Sequence, residues 1–220
     1  MRPRAGNRKG AMPAPTEPAP SAAALRNRAR RDQILSAAMK CFVENGFHGS
    51  SMAELAKRAG MSVGHIYHYY ESKDAIIEAI VDRDIEEAPG MLDAFSGADD
   101  LLAAMMDRLD ETVERHLDPD RAALRLEILA EAARNPRIAE KLHSADAAAR
   151  NRLIQALSRR LPNLGPGEVA DRVEATAAIF QGLIVRAVHN PDLDRDAFVR
   201  TMRLVLRQLL TNDTTAAPPR

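Results

Sequence analysis

The chain has one cysteine, no tryptophan and only 4% aromatic residues among its 220. A single thiol excludes an internal disulfide framework and any thiolate zinc cluster within one chain. With so few rings, a core has to be assembled from Leu, Ile, Val, Ala and Met. No stretch approaches the ~18 consecutive apolar residues of a membrane span, so no membrane partner is expected. Strand-type alternation and internal repeats are absent. So are a glycine-rich phosphate loop, a serine nucleophile elbow and a paired-carboxylate arrangement, which speaks against an enzyme and against a cofactor. Net charge is missing as well, because 31 Lys+Arg balance 31 Asp+Glu.

That zero conceals an asymmetry. Through Ala75 there are 12 basic and 6 acidic residues; beyond it there are 19 basic and 25 acidic. A basic N-terminal part on an acidic body suits contact with a polyanion, since neutralised phosphates release condensed counterions. Residues 1–24 hold Pro3, Pro13, Pro15, Pro18 and Pro20, and are expected to form a disordered, basic, Pro/Ala-rich arm. The same prolines argue against the amphipathic helix of a transit peptide, and no apolar signal-type stretch is present. Cytoplasm is the expected location.

Beyond Ala24, helix signals run nearly to the end of the chain. Ile34, Leu35, Ala38, Met39, Cys41 and Phe42 keep the spacing of one buried face, closed by Asn45-Gly46. Ser51-Met52-Ala53-Glu54 is a capping box opening a second helix that stops at Gly60. Ser62 can cap a short third helix through Tyr69. Ser72 can cap a fourth that carries Ile76, Ile77, Ile80, Val81 and Ile85 and ends near Pro89-Gly90. Further amphipathic segments run over residues 101–117, 121–134, 137–160, 167–189 and 194–210. The spacing predicts an all-α protein of about nine helices, with a frayed end from Thr211.

The informative window is Ser51–Lys73. Two short helices about Gly60 have the proportions of a helix-turn-helix. Leu55, Ala59, Met61 and Ile66 can hold them at a steep crossing, Ala56 is small where they meet, and Gly60 tolerates a left-handed turn. With Ile66 inward, Ser62, Val63, His65, Tyr67, His68 and Tyr69 populate the other faces. A recognition helix offers its N-terminal residues to base edges. His65 and His68 can pair with purine N7 or O6, Val63 can touch a thymine methyl, and Gly64 allows close approach. The tyrosine hydroxyls and Lys73 suit phosphates. His65 and His68 lack a third ligand, so no metal site is expected, and Cys41 reads as a small core residue.

These residues resemble the tetracycline-repressor (TetR) family of bacterial regulators. The likeness runs from Ile34 to Ile77, through Phe42-Val43-Glu44-Asn45-Gly46-Phe47, Ser50-Ser51-Met52, the run from Ala59 to Tyr70, and Ser72-Lys73. It implies a three-helix DNA-binding domain over 25–75, followed by a helical ligand-binding and dimerisation domain over 76–220. It further implies that Val63, Gly64, His65, Tyr67 and His68 meet bases while Ser51, Tyr69 and Lys73 hold phosphates. Tyr70 stands where the family usually has Phe, and His65 where a small Thr-like residue is commonest; the second bears on base preference.

The body matches no further motif. Its last two helices carry Val169, Val173, Ala177, Phe180, Ile184 and Val188, then Phe198, Met202, Val205, Leu206 and Leu209. They could complete a monomer core; the resemblance implies half of a four-helix homodimer interface, which a palindromic operator needs. Met91, Phe95, Met105, Met106, Leu109, Leu126, Leu129, Phe180 and Gln181 are the expected lining of a pocket for a small, largely apolar inducer, or else plain core. His116 and His143 are possible polar handles. The function expected is a homodimeric repressor released from double-stranded DNA by that ligand. An activator of the same fold, or a helical dimeric interaction protein without sequence-specific DNA binding, is the alternative.

Overall fold

The computed structural model describes residues 21–87 and 101–211, which form ten helices and, among the described residues, no strand. Helix α1 spans Ala22–Asn45, α2 Met52–Ala59, α3 Val63–Tyr69 and α4 Lys73–Glu87. Helix α5 spans Leu101–Asp107, α6 Leu109–Leu117, α7 Pro119–Ala132, α8 Pro136–Arg160, α9 Pro166–His189 and α10 Arg195–Leu210. No helix among the described residues is long and apolar enough to cross a membrane. Residues 1–20 of the expected arm, the Pro89-Gly90 helix end, Met91, Phe95 and residues 212–220 lie outside the described residues.

Two boundaries differ from expectation. Residues 22–24 belong to α1 and not to an arm, because Ser21 Oγ accepts from the N–H of Ala24 at 3.2 Å and caps a run of alanines, the best helix formers. Every residue from Ala22 to Gln33 is exposed, so the first three turns of α1 contribute nothing to a core, and packing begins at Ile34. The expected helix 101–117 is two, broken where Arg108 takes φ −98°, ψ 5°. The carbonyl of Met106 there accepts from Arg203 Nη1 at 2.8 Å, so a tertiary donor holds the break.

Two apolar cores form, and they share α7. The first joins Ile34, Ala38, Cys41 and Phe42 of α1, Leu55 and Ala59 of α2, Ile66 of α3 and Ile76, Ile77 and Ile80 of α4. It then takes Leu124 and Ile128 from α7 and Ile138 from α8. The second gathers Leu109 and Val113 of α6, Ala122 of α7, Leu157 of α8, Val173 and Leu183 of α9 and Met202 and Leu206 of α10. One face of α7 thus closes the N-terminal core while Ala122 sits in the other, and a shift of this helix would be felt by both.

Candidate nucleic-acid interface and ligand cavity

The N-terminal site is built by caps and two glycines. Ser51 Oγ accepts from the N–H of Glu54, and the Glu54 carboxylate accepts from the Ser51 N–H at 2.8 Å, closing the expected capping box. At its other end α2 stops in a Schellman turn. Gly60 adopts φ 64°, ψ 34°, its N–H reaches Lys57 O, and the N–H of Met61 reaches Ala56 O at 2.9 Å. Nothing crowds the place a Cβ would take on Gly60, so its requirement there is the left-handed backbone itself. Gln33 Nε2 donates to Ala59 O at 2.7 Å, tying this turn to α1.

Helix α3 follows with Ser62 Oγ accepting from the N–H of His65 at 3.2 Å. Ile66 is fully buried and fixes which face points inward. The rest of the helix is open: Tyr67 is 51% exposed, Val63 is 36% exposed, Gly64, His65 and His68 are exposed, and space over Gly64 is unfilled. Tyr69 is half-buried between the two imidazoles, its ring 5.5 Å from that of His65 and 5.2 Å from that of His68. The residues expected to face bases therefore share one uncovered surface on a two-turn helix.

Ser51 and Lys73, expected to hold phosphates, also have partners within the fold. Both donors of Ser51, its N–H and its hydroxyl, go to Glu54 Oε2 at 2.8 and 2.9 Å, and these bonds hold the Glu54 carboxyl below the usual carboxylate range. Lys73 Nζ donates to Phe47 O at 2.6 Å and to Ser50 O at 2.9 Å, and lies 4.6 Å from the centroid of the Phe47 ring. It fastens the α1–α2 turn, with one of three N–H donors left over. Neither side chain brings its full donor set to a phosphate.

The same turn is gripped from α7. Gly46 has φ 73°, ψ 164°, a region essentially reserved for glycine, and Glu127 lies close above it. The next N–H, of Phe47, donates to Glu127 Oε2 at 2.9 Å, and His48 Nε2 is 3.0 Å from the buried carboxylate of Glu131. Sequence reasoning missed both glutamates; a carboxylate in a helix is normally read as a solvated face.

In the body, a chamber of about 200 Å³ opens among α5, α6, α8, α9 and α10. Met105, Leu109 and Phe180 line it, joined by Thr112, His116, Leu153, Val173, Thr176, Ala177 and Leu206. Gln181 lines instead a neighbouring cavity of about 220 Å³, with Asp84, Arg115, Arg121 and Arg125. Three further expected lining residues, Met106, Leu126 and Leu129, lie elsewhere. Met106 is 4% exposed and packs in the second core, one helix position away from Met105 and so on another face. Leu126 is half-buried against that core, and Leu129 is 46% exposed; neither borders either cavity. His116 is the polar handle, its Nδ1 donating to Thr112 O at 2.7 Å, whereas His143 is exposed. Burial, helped by Arg115 and Arg125, holds the His116 imidazole below its ordinary pKa.

Val169, Val173, Ile184, Met202 and Leu206 turn out to be buried inside their own subunit. The exposed faces of the last two helices carry Val185 and Val188 on α9 and Leu204 and Val205 on α10, with Leu204 69% exposed. Gly182, on the same side of α9 as Val185, has open space above it.

Residues 34–80 match the model of the bacterial regulatory proteins of the tetR family, and residues 98–211 match the C-terminal model of the BetI-type transcriptional repressors. The HTH-type transcriptional regulator UidR of Escherichia coli K12 is 34% identical over 116 residues, which are 51% of this chain and 56% of that regulator. The chain thus matches about half the length of this curated relative. Among solved structures, GusR of Salmonella enterica superposes with a TM-score of 0.67 and 29% identity, covering 83% of this chain and 95% of that one. FadR of Bacillus subtilis, in complex with stearoyl-CoA, shares the fold with a TM-score of 0.65 and 19% identity over 82% of this chain and 97% of its own. With the C-terminal match alone spanning more than half of its length, the chain belongs to the TetR family of bacterial regulatory proteins, with a BetI-type C-terminal part.

Proposed function

We propose that the protein is a homodimeric transcriptional repressor that reads a palindromic operator with α3 and lets go when a small molecule enters the body. The observation that carries this is the division of α3. Ile66 is sealed in the core, while Val63, Gly64, Tyr67 and His68 stay uncovered on the rest of the helix, with an aromatic ring among them. A major groove admits a helix of this width, and these side chains are free to meet base edges there. The residues proposed to meet bases are Val63, Gly64, His65, Tyr67 and His68. Tyr69 and the remaining N–H of Lys73 serve phosphates, and Ser62 and Ser51 act as caps that set the angle of the helices.

The dimer supplies the second α3. Among the described residues, four of the eight exposed large hydrophobic side chains are Val185, Val188, Leu204 and Val205, all on α9 and α10. Paired with the same face of a second copy they would form a four-helix contact and place two recognition helices roughly 34–36 Å apart, one turn of DNA. The exposed arginines Arg26, Arg28, Arg30 and Arg31 on the first turns of α1 add positive charge to the DNA-facing part. Such a protein acts where the chromosome is, in the cytoplasm, and works by binding and not by catalysis.

The test is retardation of a fragment from upstream of its own gene, in competition with bulk genomic DNA. A specific site should be preferred by about 10³-fold or more, and Tyr67→Ala should remove that preference. Equal binding to all DNA would contradict the proposal.

A further inference from the structure

Two cavities meet at one pair of rings. His116 of α6 and Phe180 of α9 have ring centroids 5.6 Å apart, and both residues line both cavities. The chamber of about 200 Å³ is walled largely by hydrocarbon, with Met105, Leu109, Leu153, Val173 and Leu206 in its lining. Apolar cavities of ~150 Å³ bind benzene, so this one has room for a single substituted ring.

The uncharged polar groups of its wall have spent their protons. Thr112 Oγ1 donates to Arg108 O and Thr176 Oγ1 to Arg172 O, at 2.8 Å each. A hydroxyl has one proton, so neither can donate to a guest. The two charged residues of the wall, Arg150 and Asp146, lie 2.9 Å from each other. Arg150 is also 2.9 Å from Glu174, which does not border the chamber.

His116 is different. Its Nδ1 lies 2.7 Å from Thr112 O, and a carbonyl only accepts, so the ring proton sits on Nδ1. Burial holds the imidazole below its ordinary pKa, which keeps it neutral at pH 7. A neutral ring protonated on Nδ1 carries a bare lone pair on Nε2. Among the described residues no group donates to that nitrogen. An acceptor without a donor therefore stands where the two cavities meet.

We propose that the chamber takes a neutral apolar molecule of about one ring with a single hydrogen-bond donor, of the phenol class, whose O–H donates to His116 Nε2. This ligand class rests on the ligand-release reading above and narrows it. A guest without a donor would displace water from Nε2 and give nothing back. An anion would set lone pair against lone pair, and a charge of either sign would lose its hydration among hydrocarbon.

Calorimetric titration of the full chain at pH 7 with four probes sharing a methylphenyl body tests this: p-cresol, p-xylene, p-toluate and 4-methylbenzylamine. p-Cresol is expected to bind at least as tightly as p-xylene, and the two charged probes about tenfold or more weaker than p-cresol. His116→Phe keeps a ring and removes the acceptor. It should weaken p-cresol about tenfold and leave p-xylene within about twofold, while His116→Gln, which keeps an acceptor, should lose less. Circular dichroism and retained DNA binding certify that the variants are folded. A charged probe bound tightest, p-cresol and p-xylene affected alike by His116→Phe, or no binding of p-cresol up to about 1 mM would overturn the proposal. p-Cresol that binds as expected but leaves the protein on its DNA would instead sink the ligand-release reading and leave the site's ligand class standing.

Discussion

The backbone N–H of Phe47 donates to the carboxylate of Glu127 at 2.9 Å, across eighty residues of chain. Phe47 belongs to the turn that Lys73 and Ser50 also hold, and this turn feeds α2. Glu127 belongs to α7, which within the two preceding turns presents Arg121 and Arg125 to the cavity that Gln181 also lines. Six residues of helix separate Arg121 from Glu127, roughly 9 Å of rigid rod. The contact is therefore a direct mechanical link between the helix that lines this cavity and the base of the helix-turn-helix.

Glu127→Ala would leave the Phe47 N–H without its acceptor. A loss of about 1–3 kcal/mol in stability is expected, together with weaker DNA binding. Glu127→Gln keeps an oxygen acceptor and should retain most of both. Denaturant unfolding and DNA titration read the two quantities separately. Identical DNA affinity in all three proteins would show that the α7 contact does not steady the helix-turn-helix.

On α3, neighbouring positions should separate stability from recognition. Ile66→Ala deletes a fully buried side chain and should cost about 2–5 kcal/mol. Tyr67→Ala, at a half-exposed position, should change stability by about 0.5 kcal/mol or less and yet weaken specific DNA binding by about tenfold or more. Melting curves beside anisotropy titrations check this. A Tyr67→Ala protein with unaltered DNA affinity would place the recognition surface elsewhere.

Leu204 and Leu206 divide α10 in the same way between an exposed face and the core. Leu204 is 69% exposed and Leu206 is 1% exposed, two positions apart. Leu204→Asp should yield a folded monomer by sedimentation velocity, and Leu206→Ala a destabilised protein of unchanged oligomeric state, down by about 2–5 kcal/mol. A Leu204→Asp protein that sediments as the wild type does would remove α10 from the contact.

Stability should also fall on mild acidification. The His116 imidazole is buried and its pKa depressed, so the unfolded chain binds the proton more readily. Its contribution is complete above the unfolded value of ~6.5 and is lost as pH drops through the lower folded value. Melting temperatures measured from pH 7 downward should show this slope, and His116→Asn should flatten that part of it. An unchanged slope in the variant would assign the acid sensitivity to other groups.

Much of the N-terminal site is legible in the residues because its chemistry is local. Ser51 with Glu54, Ser62 and Gly60 each act within four positions of themselves, and their caps and turn lie where expected. The features that periodicity does not reveal are long-range. An apolar face on α9 and α10 is evident, but not which neighbour covers it, so the buried Val173 and Leu206 read the same as the exposed Val188 and Val205. Adjacent Met105 and Met106 do not separate into cavity and core until the helices pack. Arg121 and Arg125, four apart on α7, look like a solvated stripe until α4 and α9 bring Asp84 and Gln181 beside them. The early start of α1 hangs on one serine, Ser21, at the edge of a proline-rich stretch.

Hydroxyl-radical footprinting of the protein on its upstream region tests most directly whether a pair of α3 helices reads DNA. Two protected patches on one face of the duplex, about 10 base pairs apart centre to centre and both lost with Tyr67→Ala, are the expected result. A single patch, protection spread evenly along the fragment, or a footprint that survives Tyr67→Ala would contradict it.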